Sequence, residues 1–211
     1  QSALRLDSVD PGDAYDPALA ADAGGNLTAA WRQFIEPGAW GVFAASFDPL
    51  AGWGNATMVA LAGRSDVGAP SVARDEIGDT FLVWRESNAT GAEIRASRLE
   101  PGGGWSAPVT VATPGVGICE PVGDARVVAD RKGNATAVWV AEGALYLSRF
   151  SLAEGWRAPV LAAAVPSGYE GPLPSIDAAG NVIVVWQEPG SPACFGVQNG
   201  PDTLRALVIP V

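Results

Sequence analysis

The stretch DAGGNLTAAW, residues 22–31, recurs three more times along the chain in altered form. Each copy begins with Asp and has Gly three positions later, then Asn or Asp, then Trp nine positions after the first Asp. The other copies are DEIGDTFLVW at 75–84, DRKGNATAVW at 130–139 and DAAGNVIVVW at 177–186. An internal spacing that is identical in four copies indicates a repeated structural unit.

The ten-residue unit has the composition of a β-hairpin. Gly tolerates positive φ, and an Asp side chain accepts hydrogen bonds from nearby backbone amides, so the first half favours a turn. The second half is rich in Val, Leu, Thr and Trp, which favour a strand. We assign the repeated Asp to turn formation, because Ca²⁺ needs about six to eight oxygens and each unit offers few. We expect the repeated Trp to lie in the core between neighbouring units.

Two more strands are predicted after each hairpin. A loop of variable length follows the Trp, and then comes a third strand, such as EIRASRLE (93–100). A Gly-rich turn leads into a fourth strand, such as APVTVAT (107–113). A single four-stranded sheet leaves apolar surface exposed, so neighbouring sheets must stack. The repeated Asp recurs every 47 to 55 residues, which is typical of β-propeller blades.

The repeats resemble those of β-propeller proteins over nearly the whole chain. The resemblance implies an all-β fold, a four-bladed propeller of four-stranded antiparallel blades in a single domain, 1–211. The expected blades are 17–62, 70–113, 124–165 and 172–211. The units are also distantly similar to the Asp-box repeats of sialidase-type propellers, but there the Gly and the aromatic residue lie closer to the Asp. Sialidase chemistry is therefore not implied.

The two ends of the chain are predicted to complete one blade. Residues 1–9, QSALRLDSV, resemble WSAPVTVAT (105–113), which is the fourth strand of its repeat. The fourth repeat itself shows only three strands, the last being TLRALVIPV (203–211). We expect residues 1–9 to form the outer strand of blade 4, which closes the ring and removes an open sheet edge. The alternative is that two chains pair to make an eight-bladed ring.

Composition excludes several classes of function. The formal net charge is −10, so we expect no nucleic-acid partner. The chain contains no His, which excludes Ser-His-Asp and Cys–His catalysis and metal sites built from Cys and His. No apolar run approaches the about 18 residues of a spanning helix, so no membrane insertion is expected. We expect a secreted, periplasmic or cell-surface protein.

Binding is expected on one end of the propeller, the loop face, which carries the loops between second and third strands and between blades. This face should gather five aromatic residues, which could stack on sugars, bury into a protein partner or hold the loops down. They are Tyr15, Phe34, Trp40, Tyr169 and Phe195. Cys119 and Cys194 should lie on the same face, and we expect a disulfide between them, which implies an oxidising compartment.

Acidic residues follow the repeated Trp in each unit, at Glu86, Glu142 and Glu188, with Glu36 displaced. They form either a polar rim at the strand ends or a ring that could hold a cation. The run Asp7, Asp10, Asp13 and Asp16 does not have the spacing of a calcium-binding loop, so we assign it to turns. No metal site or cofactor is expected, and Ca²⁺ is left as the ion to test.

The leading functional expectation is a non-catalytic binding module, not an enzyme, for a carbohydrate or a protein ligand. Its ligand-binding residues would be Tyr15, Trp40, Tyr169, Phe195 and Glu188. The first alternative is a structural or assembly subunit, so the chain is expected as a monomer or a homo-oligomer. The second alternative is a small glycoside hydrolase that uses a pair of carboxylates. The sequence shows no arginine cluster that would bind an acidic sugar.

Overall fold

The structure is a computed structural model that describes residues 3–7, 12–35, 38–63, 65–115, 122–165, 171–188 and 201–211. Within these residues the chain forms only β-strands and no helix, and therefore no helix of the length and apolarity that crossing a membrane requires. The strands are β1 (Ala14–Ala21), β2 (Leu27–Ile35), β3 (Ala39–Asp48), β4 (Gly52–Trp53), β5 (Thr57–Gly63), β6 (Asp66–Val67), β7 (Ser71–Arg74), β8 (Thr80–Asn88), β9 (Gly91–Leu99), β10 (Val109–Ala112), β11 (Arg126–Ala129), β12 (Ala135–Ala141), β13 (Ala144–Ser151), β14 (Gly155–Trp156), β15 (Val160–Ala164), β16 (Leu173–Ile176), β17 (Val182–Glu188) and β18 (Thr203–Ile209).

The strands form four antiparallel sheets, one for each copy of the repeat, which we number blades 1 to 4. Blade 1 contains β1–β5, blade 2 contains β6–β10 and blade 3 contains β11–β15. Blade 4 contains β16–β18 and has three strands among the described residues. The all-β, propeller-like arrangement expected from the sequence is therefore confirmed.

The repeated Asp forms the turn between the first two strands of each blade. One carboxylate oxygen of Asp130 accepts the backbone N–H groups of Lys132 and Asn134, at 2.7 and 3.0 Å. The other oxygen accepts the Asn134 side-chain amide at 2.8 Å. The third residue after the Asp has positive φ, as at Gly133 with 81°, which favours glycine. This end of the propeller is called the turn face below.

Neighbouring blades pack through apolar clusters, and the first strands of the blades lie innermost. Strand β1 packs against β7, β7 against β11, and β11 against β16. Trp84 packs toward blade 1, Trp139 toward blade 2 and Trp186 toward blade 3. The repeated Trp residues are buried, as expected. Trp84, Trp139 and Trp186 therefore anchor the contacts with the preceding blades.

Closure of the ring by the N-terminal segment is not observed in the part of it that the structure describes, residues 3–7. Residues 3–7 form no strand, and β18 has no outer partner among the described residues. Leu6 instead packs on blade 1 beside Trp31 and Phe43, whose rings stack 6.1 Å apart. Arg5 donates to the Asp7 carboxylate at 2.6 Å, so polar groups of this segment are satisfied without β18.

Candidate functional site

The loop face is built where the innermost strands are interrupted. The pairing of β1 with β2 is irregular between Tyr15 and Ala18, and Asp16 between them has a φ of 51°. In blade 2 the segment before Ser71 separates β6 from β7 and contains Pro70, which has no N–H to donate. Positive φ at a non-glycine residue is strained and is frequent at functional sites. Asp16 is therefore the first candidate residue.

Five charged side chains form a continuous series of ion pairs across three blades, which we call the ion-pair chain. Arg32 donates from Nε to the Asp16 carboxylate at 2.6 Å, and its Nη1 lies 3.6 Å from Asp66. Arg85 bridges the next pair, with Nη2 at 3.4 Å from Asp66 and Nε at 3.5 Å from Asp124. The order is thus Asp16, Arg32, Asp66, Arg85, Asp124, with signs alternating.

Local contacts fix the two guanidinium groups. Arg32 also donates to the backbone carbonyl of Val67 at 2.6 Å, and Arg85 donates to the hydroxyl of Ser87. Both arginines are largely buried along their length, with about a fifth of each side chain exposed. The two guanidinium groups are therefore held in place to bind the neighbouring carboxylates.

A glycine makes room for the end of the ion-pair chain. A Cβ atom at Gly68 would lie 2.0 Å from Asp124 Oδ1 and 3.2 Å from Arg85 Nε. The Gly68 amide donates to the Arg85 carbonyl at 2.9 Å, so its backbone is fixed. Any side chain at this position would displace the Asp124 carboxylate.

Three of the predicted aromatic residues come together beside Arg32. The ring of Trp40 lies 5.9 Å from that of Tyr15 and 5.4 Å from that of Phe34. The Arg32 guanidinium lies 4.9 Å from the Trp40 ring centre, a cation–π distance. A hydrogen bond from the Tyr15 hydroxyl to Asp13 at 3.2 Å raises the pKa of Tyr15. This aromatic group borders the ion-pair chain.

The acidic residues after the repeated Trp have separate partners and do not converge. Glu86 accepts the indole N–H of Trp84 at 2.8 Å, and Glu188 is held by Arg205 at 2.8 Å. Glu142 lies in a hairpin turn, and its carboxylate packs closely against Gly115. A Cβ atom added at Gly115 would lie only 1.8 Å from Glu142 Oε1. Among the described residues no group of acidic side chains could hold a metal ion.

Several predicted residues lie outside the described part of the chain. They are Tyr169, Phe195, Cys119, Cys194, Glu36 and Asp10. The disulfide and the ligand-binding roles of Tyr169 and Phe195 therefore stay predictions. The described residues of the Asp run are not simple turn formers, since Asp16 belongs to β1 and binds Arg32.

Sequence reasoning missed the ion-pair chain. It was not predicted that Arg32 and Arg85 lie within reach of one shared carboxylate, Asp66. A signal was present, because each arginine directly follows a repeated Trp. Asp16 and Asp124 also share a position, six residues before the repeated Asp of blades 1 and 3. Only the packing of the blades shows that these positions meet.

The turn face carries a cavity of about 260 Å³ between the four repeated turns. Its lining combines acidic residues of the turns with Arg74, Arg131 and Lys132. Arg74 donates to Asp22 of the neighbouring blade at 2.9 Å, so the charges here are used in joining blades. We assign this cavity to architecture rather than to a binding site.

Comparison with known proteins identifies the fold. No family model and no curated protein matches this sequence. An α-L-arabinofuranosidase from Podospora anserina, solved with cellotriose, has a TM-score of 0.53 and 18% identity over 97% of this chain and 66% of its own. The catalytic domain of a GH62 α-L-arabinofuranosidase from Coprinopsis cinerea has a TM-score of 0.52 and 20% identity over 97% and 67%. The NanB sialidase from Streptococcus pneumoniae has a TM-score of 0.61 and 8% identity over 88% and 49%.

These matches correct the functional expectation. The chain spans about two thirds of the length of the arabinofuranosidases and about half of the sialidase. All three are glycoside-cleaving enzymes by their names, whereas we expected a non-catalytic binding module and no enzyme. That expectation is wrong, and the matches favour the alternative of a small glycoside hydrolase. At these identities the likeness establishes the fold, and the chemistry must be argued from the residues.

Proposed function

We propose that the chain forms the catalytic propeller of a glycoside hydrolase, with its active site at the ion-pair chain of the loop face. The observation that carries this proposal is the set of three carboxylates, Asp16, Asp66 and Asp124, bound by two arginines at the interrupted ends of the inner strands. Glycoside hydrolysis needs paired carboxyl groups in a fixed geometry. The likeness to glycoside-cleaving enzymes supports the same reading.

The arginines hold the three carboxylates next to one another. Asp16 and Asp66 share the guanidinium of Arg32, and Asp66 and Asp124 share that of Arg85. Shared partners of this kind fix the separation of neighbouring carboxylates, which paired glycosidase carboxyl groups require.

Arginine contact assigns roles to the carboxyl groups. Asp16, Asp66 and Asp124, which are positioned by arginine, are the candidates for the base or nucleophile. The proton donor must be a carboxyl without a cationic partner. Glu86 meets this condition among the described contacts, because it accepts only the Trp84 indole N–H. It lies opposite Val67 in the sheet, one residue from Asp66.

The charge of the site favours an uncharged sugar as substrate. Three carboxylates against two guanidinium groups leave the ion-pair chain negative, and the whole chain carries −10. An acidic sugar would be repelled on approach. The Trp40 ring beside Arg32 offers an apolar surface on which a sugar face can stack. The proposal includes the extracytoplasmic location expected from the sequence, because polymeric glycans occur outside the cytoplasm.

The test is hydrolysis of a panel of aryl glycosides and neutral oligosaccharides, including an aryl α-L-arabinofuranoside and an aryl sialoside. We expect turnover of a neutral glycoside and none of the sialoside. Asp16→Asn, Asp66→Asn and Asp124→Asn should identify the base or nucleophile through a loss of about 100-fold or more in kcat. Glu86→Gln should lose less activity on aryl glycosides than on oligosaccharides. The aryl leaving group is a weak base and departs without a proton donor, whereas a sugar leaving group needs one.

Glu154→Gln is the matched control, because Glu154 is an exposed acid on a hairpin of blade 3 that pairs with Arg157. It should keep full activity. The proposal fails if no glycoside of the panel is cleaved, or if all four site variants are as active as the control.

A further inference from the structure

In blades 1 and 2 the repeated Trp donates its indole N–H to the side chain two positions later. Trp31 donates to Gln33 at 3.0 Å, and Trp84 donates to Glu86 at 2.8 Å. In blade 3 the corresponding position is Ala141, whose side chain has no acceptor atom. The indole of blade 3 therefore lacks the partner that its equivalents have in the first two blades.

The indole of blade 3, that of Trp139, borders a pocket between blades 2 and 3. The pocket has a volume of about 230 Å³ and lies at the loop face, between the end of β10 and the hairpin that joins β12 to β13. Trp139 is only 1% exposed, and its N–H donates to no group among the described residues. It is not sealed off as the unpaired N–H of Trp186 is. Because buried donors are nearly always paired, a free donor beside a pocket indicates a ligand that accepts it.

Glu142 also lines this pocket, and it lies in a strained turn. Glu142 and Gly143 form the two-residue connection between β12 and β13, with φ values of 52° and 69°. Such turns are usually built from Asn or Asp followed by Gly, so Glu is an uncommon choice here. Gly115 leaves room for the Glu142 carboxylate, which forms no ion pair or hydrogen bond with the described residues. Strain of this kind is frequent at functional sites, and here it places a carboxylate at the pocket.

The remaining walls of the pocket are aromatic and apolar. The Tyr146 ring stacks on that of Trp139, with centres 6.2 Å apart, and Pro114 and Pro159 add saturated rings. A sugar ring offers C–H groups to such walls, and its hydroxyls can both accept an N–H and donate to a carboxylate. An ammonium group could not accept the indole N–H, and Glu142 would repel an anion. The donor and the acceptor together favour an uncharged, hydroxylated ligand.

We propose that this pocket binds one uncharged sugar ring, at a site separate from the ion-pair chain. The Trp139 indole donates to an oxygen of the sugar, and Glu142 accepts from a neighbouring hydroxyl. The volume lies below the roughly 300–1,000 Å³ of pockets for drug-sized ligands, which suits a single ring. None of the described lining residues belongs to the ion-pair chain. Binding here needs no bond cleavage, so the inference does not depend on the proposed hydrolysis.

NMR titration of the indole N–H resonances tests this inference in the intact chain, with Trp139→Phe used to assign the resonance of Trp139. The probes are neutral monosaccharides (arabinose, xylose, glucose and galactose) and their short neutral oligosaccharides. We expect at least one of these sugars to shift the Trp139 resonance. Equal affinity for the monosaccharide and its oligosaccharide identifies a free sugar as sufficient, and tighter binding of the oligosaccharide identifies a unit of a glycan chain. Both results support the inference.

Two variants separate a binding role from a structural one. Ala141→Gln supplies the acceptor found in blade 1 and fills the pocket, so affinity should fall at least about tenfold. Glu142→Asn removes the carboxylate and places a favoured residue in the turn, so Tm should rise while affinity falls by a similar factor. Glu154→Gln is the control, because Glu154 is an exposed acid at the other end of blade 3, and it should bind as the unsubstituted chain does.

The inference is overturned if none of these sugars shifts the Trp139 resonance, or if Ala141→Gln and Glu142→Asn both keep full affinity. It is also overturned if binding survives in Ala141→Gln but is lost in Asp66→Asn, since the sugar then lies at the ion-pair chain. Absence of glycoside turnover would count against the proposed hydrolysis alone, because this titration measures binding without turnover.

Discussion

At the scale of single residues, blade 2 differs from the other three at Asp79, where they carry Asn. In blade 3 burial raises the pKa of Asp130, but hydrogen bonds from the Asn134 side chain and from nearby backbone N–H groups outweigh it and leave the pKa below its ordinary value. The Asp79 carboxylate has no N–H to donate, and instead it accepts a hydrogen bond from Arg98 at 2.8 Å. One oxygen of Asp75 is left buried without a hydrogen bond among the described residues. Burial, with the nearby charge of Asp79, raises the pKa of Asp75.

We expect Asp79→Asn to lower the pKa of Asp75 below its ordinary value, because the new amide supplies the missing donor. The free energy of unfolding should change by no more than about 1 kcal/mol, since Arg98 loses a partner as Asp75 gains one. The reverse change, Asn134→Asp, should raise the pKa of Asp130. Carboxyl NMR titration measures both values, and unchanged titration of Asp75 in Asp79→Asn would contradict this explanation.

The raised pKa of Asp75 determines how the contribution of this residue to folding stability changes with pH. Folded Asp75 binds its proton more tightly than the unfolded chain does, so its contribution favours folding in acid. That contribution is lost as pH rises above 3.8 through the raised folded value. Asp79→Asn should therefore improve stability near neutral pH relative to acid. This difference is measurable by urea unfolding at two pH values.

At the scale of elements, an ion pair joins blades 1 and 2 on the turn face. Arg74, at the end of β7, donates to Asp22 at 2.9 Å, and both side chains are largely buried. Burial raises the pKa of Asp22, but the hydrogen bonds from Arg74 and Asn26 outweigh it and lower the pKa to about 2. This stabilisation is complete above pH 3.8 and is lost as pH falls through about 2.

Arg74→Gln should lower the free energy of unfolding by about 1–3 kcal/mol at pH 7, because Asp22 keeps its charge and loses its partner. The loss should shrink toward pH 2. Arg131→Gln is the control, since Arg131 pairs with Glu76 at 3.0 Å while 70% exposed, and exposed pairs contribute less than about 1 kcal/mol. Urea unfolding of both variants checks this, and equal losses would show that burial of the pair does not matter.

A second element-scale prediction concerns the segment between β6 and β7. Gly68→Ala places a Cβ 2.0 Å from Asp124 Oδ1, so the carboxylate must move out of the ion-pair chain. We expect glycosidase activity to fall about tenfold or more, with a small change in Tm. Gly104→Ala is the control, because its Cβ meets nothing within 4 Å. If Gly68→Ala keeps full activity, the position of Asp124 is not important for catalysis.

At the scale of the whole molecule, the blades are equivalent in sequence but not in burial. Leu145→Ala should cost about 2–5 kcal/mol, because it leaves a cavity between blades 3 and 4. Leu204→Ala, at the equivalent place in blade 4, should cost less than about 0.5 kcal/mol, because Leu204 is 77% exposed. Thermal unfolding of both variants measures the two costs, and an equal cost for Leu204→Ala would contradict the exposure of this position.

Much of the fold was predictable from the spacing of Asp, Gly and Trp. Turn formation at Asp130 and burial of Trp84 and Trp139 depend on local backbone preference and on apolar side chains, both of which are visible in a repeated pattern. The aromatic pair Tyr15 and Trp40 was also placed correctly on one face, because strand and loop order alone assigns residues to an end of the propeller.

The ion-pair chain and the exposed apolar face of blade 4 were decided by tertiary structure. Asp16, Asp66 and Asp124 belong to three different blades, and their contacts depend on the angle and distance between sheets, which no single repeat encodes. Closure likewise is not confirmed, because matching a segment to a strand pattern does not fix which edge it binds. Leu6 gains burial on blade 1, beside Trp31, without pairing with β18. Sequence alone determined the blades and their turns, since these are local, and packing between blades determined which charges meet and which apolar face stays open.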